Sequence, residues 1–306
     1  MTYHPSLEAI LDTLEIRQIK NLPFPQQREI FEKITMEQIQ NIPKSDITTK
    51  DIALDKDVFI RHYKPTSKSS NKAIFFIHGG GWCVSSVDTY DNVCRYLCDN
   101  SSLDVFSLEY RLAPEAPFPA AVEDSLKGYD WLYANAKNFD VDHKEIFIMG
   151  DSAGGNLATI VCHERQQTMP KAQILVYPAT DKYTSYKSHK KYDAYKYHLN
   201  MKWSKKFINA YVPQAKGDRE FFKNPQISPL FYKDTKQPDT LLIAATHDIL
   251  IDGIYAYENK LRSEGVTVET HYDDEMFHGF IGSIGLSPLK NAEVALNKAI
   301  DFINQR

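Results

Sequence analysis

A serine flanked by small residues is the most chemically suggestive feature of this sequence. Residues 150–154 read Gly-Asp-Ser-Ala-Gly and fit the pattern G-x-S-x-G, directly after the apolar run 146–149. In this pattern the serine occupies a sharp turn between a strand and a helix, and the glycines are needed because larger side chains do not fit there. Ser152 is therefore predicted to be an exposed nucleophile. A Ser152 that merely caps the following helix would not require those glycines.

A second glycine-rich run lies about 70 residues upstream. Residues 78–81 read His-Gly-Gly-Gly and follow the apolar run 73–77. Runs of this type supply backbone N–H donors to the negative oxygen that develops when an acyl group is attacked. The sequence contains no G-x-x-x-x-G-K-[ST] and no spaced G-x-G-x-x-G with the required acid, so these glycines do not predict a phosphate site. No nucleotide cofactor is predicted.

A serine nucleophile needs an imidazole to take its proton and a carboxylate to orient that imidazole. The expected chain order is serine, acid, histidine. Asp248 follows the apolar run 241–245, and His278 lies in a loop after a strand predicted at 266–272. Because α/β sheets place functional groups at the carboxyl ends of their strands, we predict a triad of Ser152, Asp248 and His278.

Each of these assignments has a rival in the sequence. Asp252 follows Asp248 by four residues, but it is predicted to lie within the next helix. Among the ten histidines, His271 is predicted in a strand and His163 on the helix after the nucleophile. His78, at the head of the glycine run, is predicted to anchor its loop through hydrogen bonds.

Further motifs extend the pattern along the chain. They are YRLAPE at 110–115, FPAAVED at 118–124, DILID at 248–252 and FHGF at 277–280. Together with the two glycine runs, they resemble the hormone-sensitive-lipase-like branch of the α/β-hydrolases, a group of microbial carboxylesterases. The resemblance covers roughly residues 60 to 300 in collinear order. It implies an α/β-hydrolase fold, a mostly parallel sheet with helices on both faces and a helical cap.

The resemblance also implies site residues beyond the triad. The oxyanion donors would be the backbone N–H groups of Gly80, Gly81 and Ala153. Four side chains are candidates for the substrate pocket, and the first two of them could equally pack against the cap: Trp82, Cys83, Tyr183 and Phe280.

The hydrophobic pattern independently predicts an α/β architecture. Two N-terminal helices, at 7–16 and 30–39, precede a β-hairpin at 46–63. Strands and helices then alternate, which argues for a mostly parallel sheet covered on both faces. The strands are predicted near 73–77, 104–109, 145–149, 172–177, 240–245 and 266–272, and the helices near 89–100, 119–137, 153–167, 252–264 and 289–304.

One long connection interrupts this alternation and divides the chain. Residues 1–45 are predicted to contribute to a cap, 46–180 to form the first part of the catalytic core, 181–229 a cap insertion, and 230–306 the second part of the core. The best helix candidate within the insertion is 203–211. The insertion is rich in lysine and tyrosine, which we interpret as a solvated cap surface rather than a nucleic-acid site.

Composition excludes several classes of function. With 36 basic and 40 acidic side chains the net charge is −4, which gives no reason to expect nucleic acid or an anionic membrane as partner. No run approaches the roughly 18 apolar residues of a membrane span, and the N-terminus lacks signal-peptide regions, so a cytoplasmic location without membrane insertion is predicted. The four cysteines make neither a secreted disulfide framework nor a recognisable metal motif.

The sequence thus predicts a cofactor-free, metal-free serine carboxylesterase that hydrolyses small-molecule esters of short acyl chains. A homodimer is compatible with it. One alternative is an amidase, formamidase or deacetylase that uses the same triad on another acyl bond. The other is a non-catalytic ligand-binding protein, since the plant gibberellin receptors resemble this family without its catalytic histidine. This chain has His278 at that position.

Overall fold

The structure is a computed structural model that describes residues 22–40, 42, 45–194, 199–285 and 290–306. The first predicted N-terminal helix lies outside these residues. The strands are β1 Thr48–Ala53, β2 Phe59–Lys64, β3 Ala73–Ile77, β4 Asp104–Glu109, β5 Ile146–Asp151, β6 Ala172–Val176, β7 Asp239–His247 and β8 Val268–Phe277. The α-helices are α1 Phe24–Ile39, α2 Asp91–Ser101, α3 Ala120–Asn135, α4 Ala153–Glu164, α5 Ser188–Lys191, α6 Met201–Tyr211, α7 Ile251–Ser263 and α8 Asn291–Asn304.

The strands form one mixed sheet in the order β1-β2-β4-β3-β5-β6-β7-β8. The predicted hairpin is confirmed: β1 pairs antiparallel with β2, which pairs antiparallel with β4. The other pairings are parallel. Every residue of β3 and β5 is buried, and because alternate residues of a strand face opposite sides, both faces of the sheet are covered there.

The strand order reverses at β3, and this reversal locates the site. After β3 the chain adds β4 on one side and later β5 on the other, which opens a crevice at the carboxyl ends of β3 and β5. Ile77, the last residue of β3, is in register with Gly150. The two glycine-rich runs therefore leave the sheet side by side.

The ends of β7 and β8 place the other two predicted triad residues together. His247 pairs with Phe277 after an irregularity in the register between Ala245 and His247. Asp248 and His278 each follow immediately. The predicted end of the last strand, residue 272, is wrong: β8 continues to Phe277. The last residues of β8, 273–277, are mostly acidic, and acidic residues have a low strand propensity. The sequence therefore does not indicate that the strand continues, and its pairing with β7 shows that it does.

The long insertion contains the helices α5 and α6, and α6 packs against α1. The predicted helix at 203–211 is confirmed, and it begins at Met201 because the Asn200 side chain accepts a hydrogen bond from the Trp203 backbone at 3.0 Å. The Phe207 ring stacks on Trp203 at 5.0 Å and on Phe24 of α1 at 5.4 Å. We use the term cap for α1 together with residues 181–229.

None of the helices in the described part of the chain is long and apolar enough to cross a bilayer. All four cysteines are free thiols and are buried.

Candidate active site

The predicted nucleophile occupies a strained turn between β5 and α4. Ser152 has φ +52° and ψ −113°, a backbone conformation that residues other than glycine rarely adopt. A Cβ atom on Gly150 would lie 2.4 Å from the Gly154 carbonyl oxygen, and one on Gly154 would lie 2.0 Å from the Ile77 carbonyl oxygen. The flanking glycines are therefore required by close backbone approach, as the motif predicts.

The side chains of Ser152, His278 and Asp248 form a continuous hydrogen-bonded chain. His278 Nδ1 lies 2.6 Å from Asp248 Oδ2, and His278 Nε2 lies 2.8 Å from Ser152 Oγ. Because an ionised carboxylate only accepts, Nδ1–H donates to Asp248 and Nε2 is left to accept from the serine hydroxyl. The structure thus assembles the predicted triad in the arrangement that proton transfer requires.

The structure separates Asp248 from its rival Asp252. Asp248 is fully buried, and its second oxygen accepts the Leu250 backbone N–H at 2.9 Å. Asp252 lies on α7, where it accepts the Ser188 backbone N–H of the cap at 2.8 Å. The imidazole of His278 therefore pairs with Asp248, while Asp252 connects α7 to the cap.

The glycine run presents free donors beside the serine. Gly80 and Gly81 have φ +109° and +59°, and a Cβ on Gly80 would lie only 2.0 Å from the Val84 carbonyl oxygen. No acceptor among the described residues pairs with the backbone N–H groups of Gly80, Gly81 or Ala153. Unpaired donors preset in this way are what an oxyanion would occupy.

Asp151 connects the two motifs, a role that was not predicted. It is buried, and its carboxylate accepts the Gly79 backbone N–H and the Tyr90 hydroxyl, both at 2.8 Å. The Tyr177 hydroxyl also hydrogen-bonds to it. Burial raises the pKa of Asp151 to about 6. The Tyr177 ring packs 4.8 Å from that of His278, so one carboxylate links the glycine run to the surroundings of the imidazole.

His78 is a neutral anchor of the glycine run. Burial lowers the pKa of His78 to about 4. Its Nδ1 lies 2.8 Å from the Gly79 carbonyl oxygen, to which it donates, and its ring stacks on Tyr110 at 4.4 Å. The Tyr110 hydroxyl in turn donates to the His78 carbonyl at 3.0 Å. These contacts match the structural role predicted for His78.

Two of the four pocket candidates contact the cap. Trp82 is buried and stacks on Tyr211 of α6 at 4.5 Å between ring centroids. Cys83 is completely buried, with its sulfur 3.8 Å from the Phe207 carbonyl oxygen. Burial raises the pKa of the Cys83 thiol, which disfavours the reactive thiolate form. The sequence left open whether Trp82 and Cys83 line the substrate pocket or pack against the cap. In the structure both residues contact the cap.

The other two pocket candidates, Phe280 and Tyr183, have different surroundings. Phe280 is buried after β8 and packs edge-on against Tyr177 at 5.5 Å. Tyr183 lies in the cap, where Arg219 and Lys223 are positioned over its ring and its hydroxyl donates to Glu220. A role of any of the four in substrate binding stays a prediction.

The cap lies directly on the glycine run. A Cβ atom on Gly81 would come within 2.5 Å of the Phe207 ring. From α1, Arg28 donates to the Cys83 carbonyl at 2.8 Å and to the Ala113 carbonyl at 3.2 Å, and it forms an ion pair with Glu115. The cap thus both limits the space beside the unpaired donors of the glycine run and contacts the loop that carries them.

The described residues contain no group of three or more His, Cys, Asp or Glu side chains arranged to hold a metal ion.

Comparison with known proteins identifies the family of the chain. A family model of the alpha/beta hydrolase fold matches residues 74–282. The carboxylic ester hydrolase LipN of Mycobacterium tuberculosis is 33% identical over 230 residues, which are 72% of this chain and 60% of LipN, so this chain spans less than two thirds of that relative. The ethyl acetate hydrolase of Pseudomonas putida is 30% identical over 258 residues, 80% of this chain and 78% of that protein.

A solved structure resembles the whole chain. The Francisella virulence factor BioJ superimposes with a TM-score of 0.95 at 59% sequence identity and covers 100% of both chains. The match to the family model begins at the second residue of β3 and ends four residues after His278, and both glycine-rich motifs and the three residues of the triad lie inside it. The chain therefore belongs to the α/β-hydrolase fold family, in its hormone-sensitive-lipase-like carboxylesterase branch.

Proposed function

We propose that the protein is a serine carboxylesterase that hydrolyses esters of short acyl chains. The observation that carries the proposal is the chain from Ser152 through His278 to Asp248, with distances of 2.8 and 2.6 Å, beside three unpaired backbone donors. Relatives named as ester hydrolases support the same class of reaction.

In the first half of the reaction, Ser152 Oγ attacks the ester carbonyl while His278 Nε2 takes its proton. Asp248 holds the imidazole in the required tautomer and stabilises its charged form. The negative oxygen of the tetrahedral intermediate accepts from the N–H groups of Gly80, Gly81 and Ala153. The intermediate collapses as the imidazolium gives its proton to the leaving alcohol, and an acyl-serine remains.

In the second half, water replaces the alcohol. His278 Nε2 takes a proton from the water as its oxygen attacks the acyl carbon, and the same donors hold the oxyanion. Collapse returns the proton to Ser152 Oγ and releases the acid. No group other than the triad, the backbone donors and water takes part.

The preference for short chains rests on the position of the cap. Phe207 lies against Gly81, and Tyr211 covers one face of Trp82, so aromatic side chains bound the space next to the oxyanion donors. Each additional methylene that is buried contributes about 0.8 kcal/mol, so kcat/KM should rise with chain length until the acyl group meets this wall and then fall.

Hydrolysis of p-nitrophenyl esters of increasing acyl length, with the matching p-nitroanilides, tests the proposal. We expect the highest kcat/KM at about two to six acyl carbons, and much slower cleavage of the anilides. Palmitate hydrolysed as efficiently as butyrate would refute the chain-length preference. Anilides cleaved faster than esters would favour the amidase alternative, and absence of all turnover by a folded protein would favour a ligand-binding role.

We also propose a cytoplasmic location. Four buried free thiols and no disulfide are usual for a reducing compartment. Cell fractionation with a cytoplasmic and a secreted marker would test this, and recovery of the protein outside the cytoplasm would refute it.

A further inference from the structure

A lysine that the reaction does not use lies beside the site. Lys182 is at the start of the cap insertion, three residues after Ala179, whose backbone N–H donates to the Ser152 carbonyl at 3.0 Å. Its ammonium lies 5.7 Å from the centre of the Trp82 ring, and Trp82 directly follows Gly81. The charge is thus held beside the oxyanion loop.

The ammonium of Lys182 has no direct counter-charge in the described part of the protein. None of the ion pairs or side-chain hydrogen bonds of the described residues includes its Nζ atom. Two acidic groups, Asp248 and Asp181, act on the ammonium through space. Asp248 is engaged with His278 and Leu250, as described above.

Asp181 is equally occupied. One of its oxygens accepts the backbone N–H groups of Tyr183 and Thr184 at 2.7 and 3.1 Å, and the other accepts the Tyr186 hydroxyl at 2.8 Å. It therefore serves the turn that follows it and is not an ion-pair partner for the lysine.

The position of Lys182 is fixed by its backbone. Its N–H donates to the buried Ser228 hydroxyl at 2.9 Å. Two residues earlier, the Thr180 hydroxyl donates to the Gly253 carbonyl at 3.0 Å, and the Thr180 carbonyl accepts from Leu230 at 3.1 Å. The backbone from which the lysine side chain extends is therefore held in place, and the side chain reaches from it to the face of Trp82.

A charge held in this way is costly. The side chain is half-buried, and the partial loss of water lowers the pKa of Lys182 to about 8, so the group is still mainly protonated at neutral pH. The attraction between the ammonium and the face of the Trp82 ring compensates part of the lost hydration, but this attraction is weaker than that of an ion pair with an anionic group. A negatively charged group of a bound ester would supply the missing partner.

We propose that Lys182 forms a subsite for an anionic group of the substrate, so that the enzyme prefers esters that carry a carboxylate close to the scissile bond. The inference rests on the proposed esterase function and specifies its substrate class. The carboxylate could be on the acyl side or on the alcohol side, because the ammonium lies beside the oxyanion loop rather than beyond one end of the site.

Two matched substrate pairs distinguish these sources. On the acyl side, monomethyl glutarate is compared with the methyl ester of glutaramic acid, which replaces the carboxylate by a neutral amide of the same shape. On the alcohol side, the acetyl ester of glycolic acid is compared with that of glycolamide. The quantity measured in a pH-stat is the ratio of kcat/KM for the charged ester to that for the neutral one.

We expect the wild type to prefer the charged ester in at least one pair, and Lys182→Met to lower that ratio by about tenfold to a hundredfold, the usual range for a charged hydrogen bond. Lys182→Gln should act in the same direction. The exposed Lys190, which belongs to the same insertion, gives the matched control, and Lys190→Met should keep the wild-type ratio.

Three results would overturn the inference. They are a wild type without preference in either pair, a ratio that Lys182→Met leaves unchanged, and an equal fall of the ratio in Lys190→Met. A ratio that is unchanged while both rates fall would mean that Lys182 supports the fold or the triad and does not select the substrate. If the folded wild type hydrolyses neither these esters nor p-nitrophenyl butyrate, the proposed function itself fails.

Discussion

Replacing Gly80 by alanine tests the oxyanion assignment through a single methyl group. At φ +109° the new Cβ would lie 2.0 Å from the Val84 carbonyl oxygen, whereas ordinary contact begins near 3.4 Å. The clashing atom belongs to the backbone, so the loop itself has to move by about 1.4 Å or more. A displacement of about 1 Å at a reacting group can cost about a hundredfold in rate. Loss of one oxyanion donor costs about 10²–10³ in kcat.

We therefore expect Gly80→Ala to lower kcat for p-nitrophenyl butyrate by about 10²–10³, with a much smaller change in KM. The donors act on the transition state more than on the bound ester, so the loss should be in kcat. Stopped-flow or steady-state measurement of p-nitrophenolate release gives both constants.

Gly265→Ala is the matched control for backbone strain. Gly265 also has a positive φ, +81°, but a Cβ there would meet nothing within 4 Å. In both variants an alanine is forced into a backbone conformation with positive φ, which should lower the free energy of unfolding by roughly 1–3 kcal/mol. Only Gly80→Ala should also have a lower kcat for p-nitrophenyl butyrate. A Gly80→Ala enzyme with wild-type kcat, or an equal loss of kcat in Gly265→Ala, would refute the reasoning.

Two further substitutions test the acid of the triad and a buried histidine. Asp248→Asn should lower kcat by roughly 10³–10⁴, because the imidazole then loses its charged acceptor, whereas Asp252→Asn should keep kcat within about threefold; the reverse order would identify Asp252 as the acid. Burial lowers the pKa of His163 to about 3 from its ordinary 6.5. Above pH 6.5 His163 is neutral in both the folded and the unfolded protein. Between pH 6.5 and pH 3 only the unfolded chain takes up a proton on His163, so the free energy of unfolding falls as the pH falls through this range. Between about pH 7.5 and about pH 5.5, the free energy of unfolding measured with urea should fall by about 1.4 kcal/mol less in His163→Gln than in the wild type. An equal fall in the two proteins would contradict the assignment.

Ser152 and Asp248 could be predicted from sequence because each follows a strand with a strong apolar pattern, and His278 could be predicted because it follows the last predicted strand in the expected chain order. Parallel strands bring their carboxyl ends to one edge, so chain order and strand position together locate Ser152, Asp248 and His278 without knowledge of any contact. The glycines were predictable for a related reason, since only close backbone approach explains a glycine on each side of a turn.

The contacts that hold these groups were not predictable in the same way. Asp151 lies inside the recognised motif, yet its partners Tyr90 and Tyr177 come from distant parts of the chain and have no motif of their own. Lys182 is one of many lysines in the insertion, and only its position against Trp82 distinguishes it. Such features depend on distances between elements, which hydrophobic periodicity does not encode.

Covalent labelling of the nucleophile tests the central claim most directly. A fluorophosphonate should add to the protein once, and mass spectrometry of the digested adduct should locate it on the peptide with Ser152. Ser152→Ala should retain the wild-type unfolding transition, take up no label and lose ester hydrolysis. An adduct on any other residue, or wild-type turnover by Ser152→Ala, would contradict the account.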